Sequence, residues 1–156
     1  MHWRRDFRCQ KKILINLNEQ CNLTDEELVE KISFDMELEL LEATKNLVEQ
    51  LHYMEPFGES NDSAIFARGK LKIKSMYLCG KENQIAKLKL EDEGLLYEAV
   101  DFHADNCLSR VIEEKYGKDE WEQMKQGKYG QQISILYQPE INNWSGNVQM
   151  KIIDCM

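Results

Sequence analysis

Six cations stand at alternating positions in two short stretches: Arg68, Lys70, Lys72 and Lys74 in "FARGKLKIKSMYL", and Lys87 and Lys89 in "QIAKLKLED". On a strand, every second side chain faces the same way. Leu71 and Ile73 then point inward with Ala86, Leu88 and Leu90, and the cations form a basic outer surface. A basic surface follows a chain of phosphates, and aromatic rings beside it stack on unpaired bases. Tyr77, Tyr97, Tyr137 and Trp144 are the rings near enough in sequence to serve. Two bland readings stand beside this one. Lysine on the outside of a strand is routine protection against edge pairing, and a Trp next to a tight turn, as in "PEINNWSGN", ordinarily caps the end of a small barrel core.

No other grouping offers chemistry. His2, His52 and His103 are scattered, and none sits in a metal-ligand spacing. Asp101 and His103 in "DFHAD" read as a surface pair or cap where a strand enters a helix. The GK of "ARGKLKIK" lacks the upstream glycine and the following Ser or Thr of a phosphate-cradling loop. Cys9, Cys21, Cys79, Cys107 and Cys155 are odd in number, widely spaced and without a CxxC pair, so neither a disulfide framework nor a zinc knuckle is predicted, and a reducing cytoplasmic setting fits. No apolar run approaches the roughly 20 residues that span a bilayer.

The charge distribution sharpens the contrast. The 156 residues carry a net charge of −8, which argues against a protein that binds phosphates over its whole surface. Glu19 to Glu59 hold 12 acidic residues against two lysines, whereas Ala64 to Leu90 hold Arg68 and six lysines against Glu82 alone. A basic block of net +6 therefore sits inside an acidic chain.

The elements that must position these residues follow from periodicity. Residues 4–19 read as a helix, and Thr24 with Glu27 forms a capping box that starts a second one. Leu40, Leu41, Ala43, Leu47, Val48, Leu51 and Met54 make a stripe at 3.6-residue spacing, predicting a helix of about 15 residues that ends before Pro56. After Phe57-Gly58 the period changes to two. Three strands follow, with a tight turn at "EDEG"; then comes a helical pattern over 104–126 broken near Gly117, and two closing strands around "NNWSGN". The order β-β-β-α-β-β predicts an α+β chain: a helical segment and then a five-stranded antiparallel OB-fold barrel with a helix between its third and fourth strands. An antiparallel sheet packed on helices gives the same string.

Several of these stretches together carry a family resemblance. "LHYMEPFGESN", the basic strand, "AKLKLED", "EAVDF" and "ISILYQPEINNWSGNVQMKIID" resemble the C-terminal region of the RecJ family of bacterial single-stranded-DNA-specific exonucleases, over roughly residues 12–154. The resemblance implies that residues 1–54 are the end of a DHHA1 domain, that 55–63 with their EPFG corner are a hinge, and that 64–156 are an OB-fold domain. It implies a DNA-binding set of Arg68, Lys70, Lys72, Lys74, Lys87, Lys89, Tyr77 and Trp144. It also implies a 5′-3′ exonuclease whose Mn²⁺ or Mg²⁺ is held by Asp and His motifs in a DHH domain upstream of anything present here, so this chain carries no catalytic residue and no cofactor of its own. Expected partners are single-stranded DNA, that DHH/DHHA1 core and DNA-repair proteins, and no membrane. One departure stands out. "NDSAIF" has no proline where the family often has N-P-x-P, which predicts a looser hinge.

Overall fold

The computed structural model describes residues 33–59 and 61–156. The helix expected over 4–19 and the capping box at Thr24 lie outside the described residues. Ser33–Met156 form one compact unit, so residues 36–52, grouped by their pattern with the helical segment, share a unit with the strands that follow.

The five barrel strands are the ones that the alternation marks. They are β2 (Phe66–Cys79), β3 (Ile85–Asp92), β4 (Leu95–Asp101), β5 (Gln132–Ile141) and β6 (Val148–Cys155), preceded by a two-residue strand β1 (Met36–Glu37). Their order is β2-β3-β4-β6-β5, and β5 pairs back onto β2 to close the cylinder. Leu71, Ile73, Leu90, Ile133 and Ile135 are fully buried within it, as the alternation requires.

One pairing departs from the antiparallel expectation. β4 runs parallel to β6, with Ala99 opposite Met150 and Val100 opposite Lys151. The helical connection after β4 and the β5–β6 hairpin bring the chain back in the direction in which it left, so closing the cylinder at this position requires a parallel seam.

The first strand is long because it serves two neighbours. The N-terminal part of β2 pairs with β5 and its C-terminal part with β3. Irregularities between Arg68 and Leu71 and between Ile73 and Ser75 let it bend from one to the other. Lys70 takes up the first with φ 62, a left-handed conformation.

The stripe predicted to be a helix of about 15 residues divides in two: residues 39–43 form a turn, and only Lys45–His52 is helical (α1). Before it, Met36–Glu37 pair with Phe66–Ala67. Thr44 sets the boundary, its side chain accepting from the Leu47 N–H at 3.3 Å. Leu40 and Ala43 are buried while Leu41 and Met54 are exposed, so the apolar spacing reflects a turn inserted into the barrel end as well as a helical face.

The helical pattern of 104–126 becomes α2 (Leu108–Tyr116) and α3 (Glu120–Lys125), separated at Gly117, whose φ of 106 no L side chain adopts without strain. Leu108, Ile112, Trp121 and Met124 fill the end of the barrel beneath them. Among the described residues no helix is long and apolar enough to cross a membrane.

The corner at 55–63, which lacks an N-P-x-P sequence from Asn61 onward, is held by hydrogen bonds. Asn61 donates from its carboxamide to the carbonyls of Met54 and Pro56, both at 2.9 Å. Gly58 and Asn61 exchange backbone bonds at 3.0 and 2.9 Å.

Tyr137, fully buried on β5, donates from its hydroxyl to the Leu38 carbonyl at 3.1 Å and so ties the N-terminal segment to the core. Burial raises its phenol well above the ordinary value, so it stays protonated. Tyr137→Phe removes that bond and leaves the carbonyl without its donor. Urea denaturation is expected to show a loss of about 1 kcal/mol, with no change in the folded spectrum.

Candidate nucleic-acid interface

The outer face of β2, β3 and β4 carries the basic residues in register. Tyr77 sits opposite Lys87, and Ser75 opposite Lys89. On the other side of β3, Lys87 faces Val100 and Lys89 faces Glu98. These side chains, with Asn142 and Gln149, line a cleft of ≈ 270 Å³. Both lysines are exposed. Two of the predicted cations and one predicted ring therefore share one concave surface.

The hairpin after β5 borders it. Asn142 organises this loop: its side-chain oxygen accepts from the backbone N–H groups of Trp144 (2.9 Å) and Ser145 (3.3 Å), and its amide donates to Gln149 Oε1 at 2.7 Å. Gly146 has φ 67, the left-handed position that such a turn needs. The backbone beneath Trp144 is thus fixed while its indole is 99% exposed. The capping role that a Trp at a turn ordinarily plays is not the one it has here. The turn is closed by Asn142, and its polar hydrogen bonds lift the ring away from the barrel.

The remaining cations divide. Lys70 and Lys72 are exposed, and among the described residues neither forms an ion pair. Lys74 pairs with Glu91 at 2.5 Å. That hydrogen bond and its charge, with a further contribution from Lys72, hold the Glu91 carboxyl below its ordinary value.

Arg68 is drawn away from this surface. Its guanidinium makes a forked pair with Asp92, Nε to Oδ2 at 2.9 Å and Nη2 to Oδ1 at 2.8 Å, with Glu93 at 3.5 Å and Glu39 at 3.8 Å. Asp92 also accepts from the Leu40 N–H at 3.4 Å. Arg68 thereby joins the β3–β4 turn to the N-terminal segment. The irregularity after Arg68 breaks the alternation that would have aligned it with Lys72, and the hydrogen bond to Asp92 raises its pKa above the ordinary value.

Of the other rings, Tyr137 is inside the core and Tyr97 is half-buried, its phenol held above its ordinary value by burial and then by the charge of Asp92. Neither belongs to the cleft. Ser75, Glu98, Asn142 and Gln149 do belong to it and went unmarked. Alternation in "LLYEAVD" is the signal that could have put Glu98 on the outer side, whereas an Asn-rich turn marks a turn and not its lining groups. Asp101, by contrast, is not a surface residue. It is buried and accepts from the His103 N–H at 2.8 Å, so it caps the start of the helical connection.

Three solved structures show a weak likeness. Asparaginyl-tRNA synthetase from Pyrococcus horikoshii, complexed with asparaginyl-adenylate, is 10% identical with a TM-score of 0.45, the match covering 77% of this chain and 21% of that one. A putative aspartyl-tRNA synthetase from Leishmania major Friedlin is 10% identical with a TM-score of 0.41, covering 94% and 25%. Aspartyl-tRNA synthetase from Entamoeba histolytica is 8% identical with a TM-score of 0.37, covering 81% and 26%. The chain thus spans about a quarter or less of those proteins' length, and likenesses this weak carry no argument. No curated protein matches the chain. The sequence family is decisive: residues 34–154, from the segment before β1 to the end of β6, match the RecJ OB domain, and the chain belongs to that family.

Proposed function

We propose that this chain holds single-stranded DNA in the cleft of Tyr77, Lys87 and Lys89 and guides it to a RecJ-like 5′-3′ exonuclease core in the cytoplasm, with the metal chemistry residing in that DHH/DHHA1 core. The carrying observation is the cleft itself, where exposed lysines and an exposed ring share one concave face beside a hairpin that holds Trp144 in solvent. A single strand needs both: cations for its phosphates, and rings for bases that are not stacked on partners.

The ion pairs of Arg68 and Lys74 lower the expected electrostatic term. Six phosphate contacts give a salt slope of about −4, whereas Lys70, Lys72, Lys87 and Lys89, which form no ion pair among the described residues, give about −3. Fluorescence anisotropy of a labelled oligo-dT of roughly 20 nucleotides, with the matching duplex as control, tests the reading. Salt-sensitive binding of the single strand in preference to the duplex supports it. No binding at low salt removes it.

Trp144→Ala separates stacking from support. Its indole touches little of the barrel, so the melting temperature is expected to stay unchanged. Affinity for the oligonucleotide should fall by about 1–3 kcal/mol, the contribution of one stacked base.

A second reading is a docking module for DNA-repair proteins. The net charge of −8 favours it, because acidic surface repels DNA within about a Debye length. Under that reading Trp144→Ala weakens partner capture and the oligonucleotide does not bind.

A further inference from the structure

The fold gathers three side chains whose sequence spacing gives no hint of a meeting. Asp101 ends β4, Cys107 precedes α2 and Cys155 ends β6, and one carboxylate oxygen and the two sulfurs lie within 4.8 Å of one another. Asp101 and Cys155 are each 2% exposed. Asp101 Oδ1 accepts from the His103 N–H at 2.8 Å. Its Oδ2 is buried and makes no hydrogen bond of normal geometry, the Leu108 N–H at the start of α2 being the donor nearby. Asp154 approaches Cys107 as well, its Oδ1 accepting from the thiol at 3.5 Å.

Little positive charge faces these groups. Among the described residues the one ion pair made here is Arg110 with Asp154, at 3.9 Å, and His103 stands beside Asp101. A buried carboxylate oxygen without a well-formed hydrogen bond is costly.

The donor types identify the cation that would supply the counter-charge. Two sulfurs and one carboxylate oxygen are too few and too soft for Mg²⁺ or Ca²⁺, which take six or more oxygens. They suit zinc. Arms of about 2.3 Å to sulfur and 2.0 Å to oxygen place neighbouring tetrahedral donors roughly 3.5–3.8 Å apart. A pair at the 4.8 Å limit would close by about 1 Å, within reach of side-chain rotation.

We propose that Asp101, Cys107 and Cys155 form a structural site for a thiophilic divalent cation, zinc above all, that pins the ends of β4 and β6 to the start of α2, with solvent completing the coordination. Each thiol releases a proton to solvent as its sulfur–zinc bond forms, and Asp101 binds as a carboxylate. This site is independent of the cleft and of any role in DNA binding.

The test uses the full chain, kept reduced, stripped with a chelator and titrated with Co²⁺ and then Zn²⁺. One equivalent of cobalt should give thiolate-to-cobalt charge-transfer absorption that zinc abolishes, and saturating zinc should raise the melting temperature. Cys107→Ser, at a partly exposed position, should remove both effects and weaken binding by more than the roughly 100-fold that follows loss of an outer-sphere partner. Cys79→Ser should leave both intact. Asp101→Asn supplies a second readout: without metal it should melt higher than the parent, because a buried charge is gone, and with zinc it should gain nothing. Wild-type protein that takes up no cobalt overturns the proposal. So does a charge-transfer band that survives Cys107→Ser, since its ligands would then be other cysteines.

Discussion

Arg68→Ala is expected to cost the folded unit about 3 kcal/mol, the lower end of what breaking a buried ion pair costs. The lower end applies because the Arg68 side chain is 22% exposed and that of Asp92 only 9%. Removing the guanidinium leaves Asp92 with the single Leu40 N–H as its partner in a place with little water. Glu39 and Glu93, now without their shared cation, add repulsion. For a unit of this size the melting temperature should fall by on the order of 10 °C. Arg68→Lys should recover only part of this, since an ammonium cannot reproduce the fork. Measured well below the melting transition, oligonucleotide affinity should be unchanged. A variant that kept its stability and lost DNA binding would return Arg68 to the DNA-contacting set.

The largest effect on binding is expected from Lys87→Glu combined with Lys89→Glu. Both side chains are exposed and neither pairs with an acid among the described residues, so the fold should not respond. The change removes two attractive contacts and adds two repulsive ones at the centre of the cleft. Affinity for oligo-dT at low salt should drop by about 100-fold or more, and the salt slope should relax from about −3 towards about −1.4. Anisotropy across a salt series checks both numbers. Unchanged binding would make these lysines solvated edge protection and leave docking to a protein as the function of this face.

What could be read from the residues alone, and what could not, divides along physical lines. Alternation at Leu71, Ile73, Ala86, Leu88 and Leu90 identified strands and their buried sides because a period of two is local information. The helical pattern interrupted at Gly117 is local too. Arg68 is different: its partner lies 24 residues away, and the irregularity that rotates it out of line arises from β2 serving two neighbours. The stripe from Leu40 to Met54 misled because a turn that buries Leu40 and Ala43 satisfies the same spacing as a helical face. Trp144 went the other way from its usual role because Asn142, through hydrogen bonds no composition reveals, fixes the turn with the ring outward. The parallel closure of β4 on β6, and with it the meeting of Asp101 and Cys155, belongs to topology and has no signature in either strand.

That closure has one more consequence. β4 and β6 share two register pairs, against seven between β3 and β4 and seven between β5 and β6. Ala99, Val100 and Gln149, which flank this thinly stitched join, also line the cleft. The cylinder breathes most easily where stitches are fewest. Under the proposed DNA-binding role, a strand lying in the groove would act as a clasp, favouring the shut cylinder over the parted one, and its hold on the protein and the protein's hold on itself would become a single linked equilibrium.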